Sequence, residues 1–178
     1  MRKITAGLFV SLDGVVEAPE RWHFPYANPE MNEAVEATGA AADTLLLGRK
    51  TYEVFVDFWP RLQGEMADQI NKSEKFVVTS TLHEVDASWN AAILEGDVID
   101  AVTTLKKREG MNINVVGSIT LVRALLRAKV LDELRLLIHP IAVGSGMRLF
   151  DEGESQTLKL ASSTTFSNGV VYSIYQPN

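Results

Sequence analysis

Apolar positions along this chain change period several times, and each change marks an element. From Lys3 to Ser11 the run is nearly all apolar, as in a strand buried on both faces, and Asp13-Gly14 is the turn that ends it. Residues 15–27 follow no period and carry Pro19, Trp22, Pro25 and Tyr26, the make-up of an irregular aromatic loop. Asn28-Pro29-Glu30 then starts a helix with a capping side chain, proline at the first helical position and an early acid. Met31, Ala34, Val35 and Thr38 give that helix a modest inward face, and Gly39 weakens its end. Asp43–Leu47 reads as a short strand closed by Gly48, and Arg49–Phe55 as a helix starting at once. Phe55, Phe58, Trp59 and Pro60 form an aromatic break, and residues 64–72 suit another short helix.

The second half repeats the alternation. Lys75–Thr79 is a strand, followed by the polar turn Ser80-Thr81-Leu82, and residues 89–94 suit a short strand. Asp97 caps a helix with Val98, Val102 and Leu105 inward. Lys106, Lys107 and Arg108 end it where the helix dipole favours cations, so the run reads as solvated capping. Asn112–Val116 is a buried strand. After Gly117 the period shifts to Leu121, Val122, Leu125 and Leu126, one face of a helix ending near Ala128. Leu131–His139 alternates as a strand, and residues 140–150 form a loop holding Gly144-Ser145-Gly146. Two last strands, Leu158–Phe166 and Val170–Gln176, meet around Asn168-Gly169, a strong hairpin signal. Strands alternating with helices, then strands alone, predict an α/β protein: a mostly parallel sheet with helices on both faces and an antiparallel C-terminal hairpin. No linker, repeat or biased segment divides the chain, so residues 1–178 are expected to form a single domain.

Composition narrows the functional classes. The net charge of −6 argues against a nucleic-acid partner, which needs a basic face. Cysteine is absent, which excludes disulfides, thiolate catalysis and cysteine-bound metals. His23, His83 and His139 fit no metal-ligand spacing, so no metal is expected. Arg2 and Lys3 precede a short apolar run, but Ser11 and Asp13 end it too soon for a signal peptide. No stretch is long enough to span a membrane. The expectation is a soluble cytoplasmic protein acting on a small molecule.

Candidate chemistry gathers at strand ends. A strand meeting glycine and turning straight into a helix, as at Val116-Gly117-Ser118, leaves N–H groups outward and makes an anion site. Ser118 is placed to cap that helix or face a ligand. Gly48-Arg49-Lys50-Thr51 repeats the arrangement, with two cations opposing the helix dipole unless a phosphate lies between them. Thr79-Ser80 is a third such end. In a parallel sheet these ends share one edge, where an extended phosphorylated ligand such as a dinucleotide binds. The usual Gly-x-Gly-x-x-Gly fingerprint after the first strand is missing. Asp13 and Glu17 follow the first strand, at the same edge. Asp13 suits a substrate hydroxyl or amine, proton transfer, or simply the turn before Gly14.

Taken in order, these residues resemble the dihydrofolate reductase-like superfamily. The branch most similar contains the C-terminal reductase domain of the bifunctional riboflavin-biosynthesis deaminase-reductase. The resemblance rests on Val10-Ser11-Leu12-Asp13-Gly14, Leu47-Gly48-Arg49-Lys50-Thr51-Tyr52, Val116-Gly117-Ser118, Leu131-Asp132-Glu133-Leu134, and Pro140 leading to Gly144-Ser145-Gly146 and Leu149-Phe150. It implies a three-layer fold on a mixed sheet of about eight strands, and an NADPH-dependent reductase that often forms a homodimer. Gly48, Arg49, Lys50 and Thr51 would hold cofactor phosphates, and Ser80 and Thr81 would lie near the adenosine. Gly117, Ser118, Ile119 and Thr120 would hold the pyrophosphate near the nicotinamide. Ser11 and Asp13 would face nicotinamide or substrate, and the Trp22 loop would supply substrate contacts. The substrate class implied is a small heterocycle or sugar imine, such as the ribosylamino-pyrimidine of riboflavin synthesis. Two departures matter. Where dihydrofolate reductases carry an acid after Trp-x-x-Pro, this chain has Ala27 after Trp22-His23-Phe24-Pro25-Tyr26, which opposes dihydrofolate reduction. No arginine follows Ser80-Thr81, so NADH stays open beside NADPH. A binding module that keeps the nucleotide site without turnover is the reading from a different class.

Overall fold

The computed structural model describes residues 1–153 and 155–178. Its strands are β1 (Ile4–Ser11), β2 (Ala42–Gly48), β3 (Glu74–Val78), β4 (Ala91–Ile93), β5 (Asn112–Val116), β6 (Glu133–His139), β7 (Leu158–Thr165) and β8 (Val171–Pro177). The helices are α1 (Pro29–Ala40), α2 (Arg49–Phe58), α3 (Glu65–Lys72), α4 (Val98–Lys107) and α5 (Ile119–Arg127). All strands join one eight-stranded sheet in the order β4-β3-β2-β5-β1-β6-β8-β7. Neighbours from β4 to β6 are parallel, while β8 runs antiparallel to β6 and β7.

Side chains of a strand alternate between faces, and that alternation sorts the core. Ile4, Ala6, Leu8 and Val10 of β1 pack against Val102 and Leu105 of α4 and Leu121, Val122, Leu125 and Leu126 of α5. On the other face, Leu45 and Leu47 of β2 pack with Tyr52 of α2 and Ile70 of α3, and Phe9 of β1 packs with Met31 of α1 and Leu137 of β6. Helices therefore cover both faces, α4 and α5 on one, and α1, α2 and α3 on the other. Because β1, β2 and β5 are sandwiched, they must be apolar nearly throughout, which is why their patterns were legible.

One polar contact caps a helix and two tie distant segments. Asn28 caps α1 by accepting from Met31 N at 2.8 Å. Glu30, in the first turn of that helix, accepts from the backbone N–H of Ser167 at 2.8 Å and from its hydroxyl, and so pins the β7–β8 turn. Lys106 differs from the expectation of plain solvation: it is half-buried and holds Asp132 at 2.6 Å, joining the end of α4 to the entrance of β6. Among the described residues no helix is long and apolar enough to cross a membrane.

Candidate functional site

Parallel pairing puts the C-terminal ends of β3, β2, β5, β1 and β6 on one edge. Adjacent strands β2 and β5 send their following helices to opposite faces, α2 to one and α5 to the other. Such a divergence opens a crevice between the two strand ends. Here the divergence falls at Gly48 and Gly117. Ser118 does not cap α5, one of the two roles that its position in the sequence left open. Its backbone is left-handed (φ 51°), and its Oγ accepts from Gly48 N at 2.5 Å and lies 3.2 Å from Thr51 Oγ1. The two turns are packed so closely that a Cβ on Gly48 would come within 2.7 Å of Ser118 Oγ. A Cβ on Gly117 would come within 2.8 Å of Thr51 Oγ1, and φ there is +60°. Two helix N-termini thus lie one hydrogen bond apart. Their first-turn N–H groups lack intrahelical partners and carry the positive end of the dipoles, an arrangement able to hold an anion.

The flanking residues fall on the same edge. Arg49 Nη1 pairs with Glu53 Oε1 at 3.0 Å, both side chains partly exposed, and Lys50 is exposed with no carboxylate partner among the described residues. On neighbouring β3, Thr79 Oγ1 accepts from the N–H of Thr81 at 3.1 Å and of Leu82 at 3.0 Å, which curls the turn and leaves Ser80 and Thr81 exposed. Ile119 is half-buried against the core, while Thr120 is exposed. The structure therefore brings together the Gly48–Thr51, Ser80–Thr81 and Gly117–Thr120 segments.

At the end of β1, Ser11 donates to Asp13 Oδ1 at 2.6 Å and accepts from Val15 N at 2.9 Å. Asp13 also accepts from the backbone N–H of Val143 at 3.0 Å and Gly144 at 2.8 Å. These donors, the Ser11 hydroxyl foremost, lower its pKa to about 2, so the carboxyl is ionised near neutrality. Glu17 accepts from Met147 N at 2.7 Å, and Arg123 of α5 donates to Leu149 O at 2.9 Å. The loop of residues 140–150 is thereby laced to the β1 turn and to α5. Trp22 is buried: its Nε1 donates to Glu17 O at 3.1 Å, and its ring meets His139 edge-on at 5.2 Å. His139 is fully buried on β6, with Nδ1 2.8 Å from Leu137 O. Burial lowers its pKa and that of His23, which also feels His139, so both rings are neutral at neutral pH.

Ser11, Asp13 and Trp22 do not line the apolar cavity beneath α1; Phe9, His23 and Phe24 beside them do. This cavity, about 510 Å³, lies between the sheet and helices α1, α2 and α3. Met31 and Val35 of α1, Phe55 and Phe58 of α2, Trp59 after it, and Val116 of β5 are among its walls. Sequence reasoning missed it as a site, although two signals were present. The inward face of α1 is modest because Ala34 and Val35 border a space and are only half-buried. The aromatic break at Phe55, Phe58 and Trp59 is its opposite wall. The cavity and the paired glycine turns adjoin through shared elements. Val116 lines the cavity and Gly117 follows it, and on α2 Arg49 and Phe55 are separated by about 9 Å of helix rise.

Comparison with known proteins agrees with this architecture. The sequence profile of the RibD C-terminal domain matches residues 2–172. The uncharacterized protein YyaP of Bacillus subtilis (strain 168) is 31% identical over 185 aligned positions, covering 99% of this chain and 96% of YyaP. Among solved structures, a Shewanella sp. PV-4 protein assigned provisionally to riboflavin biosynthesis superposes with a TM-score of 0.80 at 20% identity, covering 99% of both chains. A pyrimidine reductase-like protein from Corynebacterium diphtheriae NCTC gives 0.71 at 15% identity, covering 99% of this chain and 92% of its own. These two likenesses are of fold.

Proposed function

The chain belongs to the RibD C-terminal domain family, and we propose that it is an NADPH-dependent reductase of a small heterocyclic or imine substrate. The observation that carries this reading is the pair of glycine turns joined by the Ser118–Gly48 hydrogen bond, next to a largely apolar cavity. A bound nicotinamide nucleotide supplies the hydride, and the protein's share is binding, alignment and exclusion of water. We assign Gly48, Arg49, Lys50 and Thr51 to its phosphates, Ser80 and Thr81 to the adenosine end, and Gly117, Ser118, Ile119 and Thr120 to the pyrophosphate. NADH is the second candidate nucleotide, since no arginine follows Thr81.

Substrate is assigned to the cavity, whose walls on α1 and α2 keep water from the reacting bond. Ser11, Asp13 and Trp22 act in this reading as struts that hold the loops around it. Asp13, with a pKa of about 2, carries no proton to give at neutral pH. Dihydrofolate fits less well: Ala27 stands where the acid would be, and the Glu30 carboxylate is held by Ser167 instead.

Fluorescence titration with NADPH and NADH, followed by absorbance assays with the ribosylamino-pyrimidine, dihydrofolate and other cyclic imines, tests the proposal. Neither nucleotide binding would sink it, and binding without turnover across the panel would leave a nucleotide-binding module. Arg49→Glu places a carboxylate beside the phosphates and should weaken NADPH binding about tenfold or more. An unchanged affinity would remove Arg49 from the site. The homodimer is part of the same proposal, and light scattering on the eluting protein checks it.

A further inference from the structure

The cavity walls are specific about charge. Resting on the reductase reading above, we infer that this site selects an uncharged, flat, largely hydrocarbon aromatic compound and turns away phosphorylated substrates. Aromatic rings form one wall, Phe55, Phe58 and Trp59, and aliphatic chains such as Val35, Met66 and Leu137 form much of the rest. A space of about 510 Å³ suits a ligand of two to four fused or linked rings.

The single cation lining it is Arg135, among the described residues; its charge is paired with Glu133, and each of its three nitrogens makes a hydrogen bond. Nε and Nη2 donate to Glu133 Oε2 at 3.2 and 2.7 Å, and Nη1 donates to Thr38 Oγ1 at 3.0 Å. Glu36 adds a carboxylate to the same lining. A phosphate entering here would shed its water beside an acid and meet only a cation already paired with Glu133, a net cost. The cations suited to phosphate, Arg49 and Lys50, start α2 on the nucleotide edge and do not line the cavity. Neutral groups remain to orient a ligand, notably Asn114 and Gln69, and Trp59 Nε1 is buried with no partner among the described residues. One carbonyl or ring nitrogen on an otherwise apolar plate matches that set.

Binding, measured apart from turnover, tests this. Flavone, a neutral aromatic ketone, and uridine monophosphate, a phosphorylated pyrimidine, are titrated against the whole protein by saturation-transfer NMR and tryptophan fluorescence, with NADPH titrated in parallel. Flavone should bind at least about tenfold more tightly than uridine monophosphate. Phe58→Ala, at an exposed wall position, should weaken flavone about threefold to tenfold and leave NADPH affinity unchanged. Gln69→Lys, which adds a cation to the lining, should narrow the gap by strengthening uridine monophosphate. Equal or tighter binding of uridine monophosphate by the natural protein overturns the inference, as does an unmoved gap in Gln69→Lys. Absent flavone binding with NADPH binding intact overturns it alone. Flavone binding with no affinity for either nicotinamide nucleotide supports the selectivity of the cavity while sinking the reductase reading.

Discussion

Asp13 shows why a residue near a strand end is hard to interpret from its neighbours in sequence. An acid before glycine suits both a turn and a site, and the donors that decide its role, Val143 and Gly144, come from the far end of the chain. Its pKa is lowered from 3.8 to about 2 in the fold, so its contribution to stability is present above pH 4 and lost as pH falls through about 2. Asp13→Asn should be less stable than the natural protein at pH 6, with the difference shrinking toward pH 2; urea unfolding across that range measures it. Lys75 is the opposite case. It is fully buried on β3, and its Nζ donates to Asn71 O at 3.0 Å and Ser73 O at 2.7 Å, with the Trp89 ring at 4.3 Å. Burial lowers its pKa from 10.5 to about 8. Between those values the unfolded chain binds more protons than the fold, so this lysine makes stability rise with pH from about 8 to about 10.5. Lys75→Met should remove that rise, which unfolding curves at pH 8 and 10 compare directly.

At the scale of elements, the alternation of periods was enough to place the main strands and helices, because a sheet covered on both faces demands long apolar runs. The turns between them were only half legible. Gly117 announces a break in any reading, but nothing local says that Ser118 reaches across to Gly48 and not back onto its own helix. That choice follows from the parallel pairing of β2 and β5, with Leu47 opposite Val116. Gly117→Ala meets both a left-handed backbone and Thr51 Oγ1 at 2.8 Å, and should cost about 1–3 kcal/mol in urea unfolding and also weaken NADPH binding. An alanine variant as stable as the natural protein would mean that the two turns are not packed as tightly as the geometry indicates.

Across the whole molecule, protection should follow the sheet order. Strands β5 and β1 lie centrally, with Ala6, Ile113 and Val115 fully buried, whereas β7 closes one edge and is exposed along most of its length. Amides of Ala6 and Val115 should therefore exchange with solvent only on global unfolding, and those of β7 through local opening at far higher rates. Hydrogen exchange followed by NMR reads both. The cavity also belongs to this scale. Its walls come from α1, α2, α3, β1, β5 and β6, and each segment of the sequence carries only a fragment of it, such as the modest face of α1 or the aromatic break at Phe55, Phe58 and Trp59.

By itself the sequence determined the sheet, its helices, the C-terminal hairpin and the three strand ends at Gly48, Ser80 and Gly117, since period, glycine and capping residues act over a few neighbours. Tertiary structure alone decided which polar side chains meet partners from elsewhere in the chain. Asp13 takes donors from the loop of residues 140–150, the Trp22 ring meets His139, and the space between α1 and α2 exists only once both helices are docked on the sheet. Hydrogen-bond satisfaction and cavity shape depend on residues far apart along the chain, and no local pattern encodes them. The glycine turns at Gly48 and Gly117 lie between these cases. Each was legible alone, and their contact was made by the pairing of β2 with β5.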